Sequence, residues 1–93
     1  MRSTEPGDYY SAVADQQLNE MEASDPALYD DVLATCERIF DHPGLARSTS
    51  SAITTPGGIR MVLDVPGRYP YKVFWSPEPV RIEAVFPYER RSR

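Results

Sequence analysis

The side chains able to do chemistry lie in the second half of the 93-residue chain, where Arg60, Lys72, Arg81, Arg90 and Arg91 are interleaved with Tyr71, Phe74 and Tyr88. A phosphodiester can be held, and cut, without a metal when arginines and lysines stabilise the charge building on the phosphorane and a nearby group moves the proton. Arg60, Lys72, Arg90 and Arg91, with Tyr88, are the residue types this requires. Unpaired bases stack on aromatic rings, a role open to Phe74, Tyr71 and Tyr88. Cations on an exposed sheet face also have a plainer use, because they keep strand edges from aggregating.

Other chemistries find little support. One histidine, His42, and one cysteine, Cys36, cannot assemble the usual zinc set, and no acidic loop has calcium spacing. Pro56-Gly57-Gly58 lacks the lysine and following helix of a phosphate-cradling loop. No serine or cysteine has a histidine partner other than His42. Cys36, among Val32, Leu33 and Ile39, reads as a packed thiol. No metal and no small-molecule cofactor is expected.

Hydrophobic residues make up 41% of the chain, enough for one modest core and therefore one domain. The lone cysteine excludes an internal disulfide and fits a reducing compartment. No apolar run reaches the roughly 18 residues needed to cross a bilayer. Met1 to Asp8 has no apolar core of a secretion signal, so a cytoplasmic protein without membrane partners is expected. The net charge of −4 is unevenly spread. Residues 1–46 hold ten acids against two bases, and residues 47–93 hold four acids against eight bases. Local fields steer partners, so a basic second half remains compatible with an anionic ligand.

The elements that must position these residues follow from spacing and punctuation. Residues 1–8 read as a disordered lead-in, residues 9–91 as the domain, and residues 92–93 as a tail. A helix capped by Asp8 is expected from Tyr9 to Ala23, with Tyr10, Val13, Ala14, Leu18 and Met21 on its apolar side. Asp25-Pro26 restarts the chain as cap and first helical residue, and the second helix runs to Asp41 with the stripe Leu28, Val32, Leu33, Cys36, Ile39, Phe40. His42-Pro43-Gly44 ends it. Leu45 to Pro56 reads as a polar loop with a short edge strand at Ala52-Ile53-Thr54.

Three strands follow in a meander. Gly58 to Leu63, Tyr71-Lys72-Val73-Phe74-Trp75 and Val80 to Phe86 carry the β-branched and aromatic residues of half-buried strands. Val65-Pro66-Gly67-Arg68 and Ser76-Pro77-Glu78-Pro79 are the turns between them. Alternation puts Ile59, Met61, Leu63, Tyr71, Val73, Trp75, Ile82, Ala84 and Phe86 on one face, and Arg60, Lys72 and Arg81 on the other. A four-residue second turn sets Trp75 opposite Val80, Phe74 opposite Arg81, and Lys72 opposite Glu83, where a plain cross-strand ion pair is one reading of the lysine. Helices first and strands afterwards make an α+β domain, a two-helix hairpin on one face of a three- to four-stranded antiparallel sheet.

The helix end Ile39-Phe40-Asp41-His42-Pro43, the strands Gly58-Ile59-Arg60-Met61-Val62-Leu63 and Tyr71-Lys72-Val73-Phe74-Trp75, and the closing Ala84-Val85-Phe86-Pro87-Tyr88-Glu89-Arg90-Arg91 together resemble the RelE/ParE superfamily of bacterial toxins. These are the toxin halves of toxin–antitoxin modules. The resemblance covers roughly Ala27 to Arg91. It implies a ribosome-associated, metal-independent endoribonuclease that cuts messenger RNA and inhibits translation. Arg60, Lys72 and Arg90 would hold the phosphate, with Tyr88 assisting, and Arg81, Arg91 and Phe74 would contact the RNA. The partners implied are messenger RNA on the ribosome and a cognate antitoxin. Two other functions fit the same fold. One is a catalytically inactive RelE-fold module that binds another protein through its acidic hairpin and exposed Tyr9 and Tyr10. The other is a ParE-like inhibitor of DNA gyrase.

Overall fold

The computed structural model describes residues 9–86. Among them three helices precede an antiparallel sheet: α1 (Ala12–Ser24), α2 (Pro26–Asp41), α3 (Pro43–Thr49), then β1 (Ser51–Thr55), β2 (Gly58–Asp64), β3 (Lys72–Pro77) and β4 (Val80–Phe86). The strands lie side by side in chain order, each antiparallel to the next. The chain is thus α+β, with the helices packed on one face of a four-stranded sheet. No helix among the described residues is long and apolar enough to cross a membrane.

The first two helices start at side-chain caps. The Ser11 hydroxyl accepts the N–H of Ala14 at 3.0 Å, so α1 begins at Ala12, three residues later than the expected start at Tyr9. The reason is tertiary: Tyr10 forms a parallel bridge with Ile82, which holds the chain extended just before the helix. Asp8, the expected cap, lies outside the described residues. Asp25 caps α2 as expected, accepting the N–H of Leu28 at 3.3 Å with Pro26 in the first turn. The segment read as a loop from Leu45 onward begins instead as α3. Pro43 opens it, and the hydroxyls of Ser48, Thr49 and Ser50 donate back to the carbonyls of Leu45 and Ala46. Those internal bonds let a serine- and threonine-rich sequence stay helical.

The core lies between the helices and the inner sheet face. Ala14, Leu18, Leu28, Val32, Cys36, Ile39 and Ala46 from the helices meet Met61, Val73, Trp75, Ile82 and Val85 from the strands. α1 packs on β4, α2 on β3 and β4, and α3 on β2. Val13, expected on the apolar side of α1, is 56% exposed. The link from β2 to β3 runs on through Tyr71, past the expected four-residue turn. It is held by Val65 N–H to Tyr71 O at 3.0 Å and Tyr71 N–H to Arg68 O at 2.7 Å. Gly67 supplies its one positive φ, 75°.

The β3–β4 register differs from the expected one. The turn is two residues, Glu78-Pro79, so Pro77 meets Val80 and Trp75 meets Ile82. Glu83 is then an extra residue, because Phe74 pairs with Ala84. A shift by two residues preserves sidedness, but the bulge adds one and reverses it. Ala84 and Phe86 therefore turn away from the helices, and Val85 takes the buried place. Lys72 lies opposite Phe86 rather than Glu83.

The bulged strand is also where the sheet edge is closed. Ser11 donates its N–H to Ile82 O at 2.9 Å and its hydroxyl to Glu83 O at 2.6 Å. The buried side chain of Gln17 accepts the N–H of Val85 at 2.7 Å. β4 is an edge strand, and Ser11 and Gln17 satisfy the outward groups of Ile82, Glu83 and Val85. β1, at the other edge, is solvent-exposed over Ser51 to Thr54.

Candidate nucleic-acid interface

Residues paired directly across strands share a face, so the registers decide what the uncovered side of the sheet presents. One row reads Ser51, Val62, Phe74, Ala84, and the next Asp64, Lys72, Phe86. At the other end Ile53 pairs with Arg60, and Ser76 with Arg81. Arg60, Lys72 and Arg81 come from three different strands and stand on the same side, away from the helices. Phe74 shares that face. Phe86, read from the sequence as a core residue, joins it because of the bulge, and the two rings lie 4.5 Å apart between centroids at 55°. An aromatic pair thus shares this face with three cations, Lys72 at one end and Arg60 and Arg81 at the other.

The cations are not free of acids. Asp64 lies directly across from Lys72, with Nζ 3.7 Å from Oδ1. The Asp64 carboxylate is highly exposed, and such a pair is worth only about 0 to 1 kcal/mol. Lys72 Nζ also stands 5.7 Å from the centre of the Tyr69 ring. The expected Lys72–Glu83 pair is absent. Glu83 accepts instead from the Ser76 hydroxyl at 2.9 Å, and its nearest cation is Arg81, whose Nε is 4.0 Å away. That Nε is shielded from solvent and has no hydrogen-bond partner among the described residues. Arg60 folds back over the β1–β2 turn, donating from Nη1 to Ile59 O at 3.2 Å. A Cβ placed on Gly57 would come within 3.1 Å of Arg60 Nη2, so the small residue makes room for the guanidinium.

Such a face can hold an anionic strand by two means. Weakly paired cations exchange their carboxylate partners for phosphate, and the aromatic pair offers a stacking surface. Asp64 and Glu83 oppose a polyanion. Strand alternation already places Asp64, four residues along β2 from Arg60, on this side, and the sequence reading sets Glu83 there as well, opposite Lys72. Beside the face, Asp64, Val65, Pro66, Gly67, Tyr69 and Tyr71 line an open hollow of about 520 Å3. Tyr71, expected to stack on bases, is half-buried against the core at this hollow.

Of the other site residues expected from the sequence, Tyr88, Arg90 and Arg91 lie outside the described residues. Of the two tyrosines expected to touch a protein partner, Tyr10 is half-buried against the core and 5.7 Å from the Phe40 ring. Tyr9 is half-exposed, edge-on to Phe40 at 5.6 Å. Cys36 is fully buried, and its thiol is pushed from 9.0 up to about 12, first by burial and then by the charge of Glu37. It is a packed thiol, as its neighbours in sequence indicate. No family model, curated protein or solved structure matches this chain.

Proposed function

We propose that the uncovered sheet face holds single-stranded RNA, and that the chain is a divergent toxin of the RelE/ParE kind acting on messenger RNA at the ribosome. The observation that carries this reading is that Arg60, Lys72 and Arg81 share the uncovered sheet face with the Phe74–Phe86 pair. Arg60 and Lys72, with Arg90, hold the scissile phosphate and stabilise the charge developing on it, and Tyr88 assists. Phe74 stacks on a base, and Arg81 and Arg91 bind flanking phosphates. Lys72 serves as a point charge, without the bidentate fork of an arginine. A cognate antitoxin would neutralise the protein by covering the same face.

The test is induced expression in bacteria with mapping of messenger 5′ ends. Growth arrest with new cuts, both abolished in a Lys72→Ala, Arg90→Ala double variant, supports the reading. Unimpaired growth with intact messages counts against it.

A second reading is favoured by Asp64 and Glu83. A face where acids alternate with cations around an aromatic centre also suits a protein partner. The chain would then be a catalytically inactive member of the same fold. Recovery of a stable protein complex without ribosomes would favour it. Gyrase inhibition of the ParE type is separated from both by a supercoiling assay.

A further inference from the structure

The two edges of the sheet are treated differently. The β4 edge is closed by Ser11 and Gln17, whereas β1, Ser51-Ala52-Ile53-Thr54-Thr55, has no charged residue, no proline and no bulge. Those are the devices that normally keep an open edge from pairing. Ile53 at its centre is 40% exposed, and Ile59, paired with Thr54 on the opposite face, is 51% exposed. We propose that β1 pairs antiparallel with β1 of a second copy of this chain about a two-fold axis through Ile53, joining two sheets into one of eight strands.

Several features favour a second copy. Pairing centred on Ile53 sets Ser51 against Thr55, Ala52 against Thr54, and Ile53 against itself. Every pair is small, hydroxylic or β-branched, and none opposes like charges. The nearest charge across the sheet is Arg60, paired with Ile53. In the dimer the two Arg60 strands are three strand spacings apart, about 14 Å, beyond the Debye length of about 8 Å. Ala52 and Thr54, on the helix side of β1, are exposed, so the helical layer stops short of this edge. Seven of the ten acids of the first half are carried on α1 and α2, which pack on β4 and β3 at the far side of the sheet. The axis is perpendicular to the sheet, so both Phe74–Phe86 faces lie on the same side as one extended surface. Five paired residues a side make a small interface, and the dimer should dissociate in the micromolar range.

The experiment is cysteine cross-linking of the full chain under mild oxidation, with sedimentation at rising concentration. Directly opposed strand residues have Cα atoms about 4.5 to 5.5 Å apart, within disulfide range. Ile53→Cys faces itself and forms a covalent dimer quickly. Ala52→Cys faces Thr54 of the partner copy and cross-links at least about tenfold more slowly, a difference of about 1.4 kcal/mol in barrier. Cys36, buried, gives the wild-type background. Ile53→Lys, at an exposed site, abolishes concentration-dependent association while its circular dichroism and melting stay as in wild type. Equal cross-linking at positions 52 and 53, or a wild-type chain that stays monomeric at sub-millimolar concentration, overturns the proposal. So does an Ile53→Lys variant that folds and still associates.

Discussion

Gln17 accepts the backbone N–H of Val85 at 2.7 Å, joining residues 68 positions apart at the closed edge of the sheet. The Gln17 side chain is buried. Gln17→Met keeps the volume and removes the acceptor. It should cost about 1 to 3 kcal/mol, or roughly 5 to 20 °C in a thermal melt of a domain this size. A melt within a degree or two of wild type would show that water replaces the glutamine oxygen.

Trp75 is 1% exposed at the centre of the core, and its indole N–H donates to the Ser50 hydroxyl at 3.2 Å. Trp75→Ala should cost about 3 to 5 kcal/mol, a large share of the stability of a small domain. Chemical denaturation followed by circular dichroism checks this. Trp75 is the only tryptophan, so its emission should be blue-shifted in the native wild type and move to the red on unfolding.

Burial raises the Cys36 thiol to about 12 from 9.0, so the folded chain holds this proton more tightly than the unfolded one. The resulting stability is complete below about pH 9 and is lost as pH rises towards 12, with a limiting slope of about 1.4 kcal/mol per pH unit. Denaturant melts between pH 7 and 11 should show the fall, and a Cys36→Ala variant should lack that component. At neutral pH the native thiol should resist alkylation that the denatured chain undergoes readily.

Much of the fold is legible in the sequence. The Asp25-Pro26 restart, the apolar stripe of α2 and the alternation of β2 and β3 are local signals, and the structure keeps them. What fails is what depends on distant contacts. Nothing near Tyr9 signals that Tyr10 is drawn out beside Ile82. Nothing near Glu83 signals an inserted residue, because Ser11 and Gln17 satisfy that strand from the other end of the chain. The bulge is also why the site is only half-readable. Arg60, Lys72 and Arg81 lie on the expected face, since no register error of odd length separates them from the core positions beside them. Phe86 joins that face only through the extra residue. α3 escapes a sequence reading because serines and threonines look like loop until their hydroxyls find carbonyls within the same helix.

The acids on the uncovered face separate the RNA reading from a protein-binding one. Asp64→Asn and Glu83→Gln remove charges that oppose phosphate and free Lys72 and Arg81. Binding to an unstructured RNA should tighten, with a steeper salt dependence. If the face is a protein-docking surface, the same changes should instead weaken complex formation with that partner.

The salt dependence of binding to labelled single-stranded RNA tests the central claim most directly. Followed by fluorescence anisotropy, wild type should lose affinity steeply as salt rises. The Arg60→Ala, Lys72→Ala, Arg81→Ala triple variant, still folded by circular dichroism, should bind more weakly. Its log–log salt slope should be shallower by about 2, near 0.7 for each phosphate no longer neutralised. Equal affinity and equal slope in the two proteins would contradict an RNA-binding sheet face.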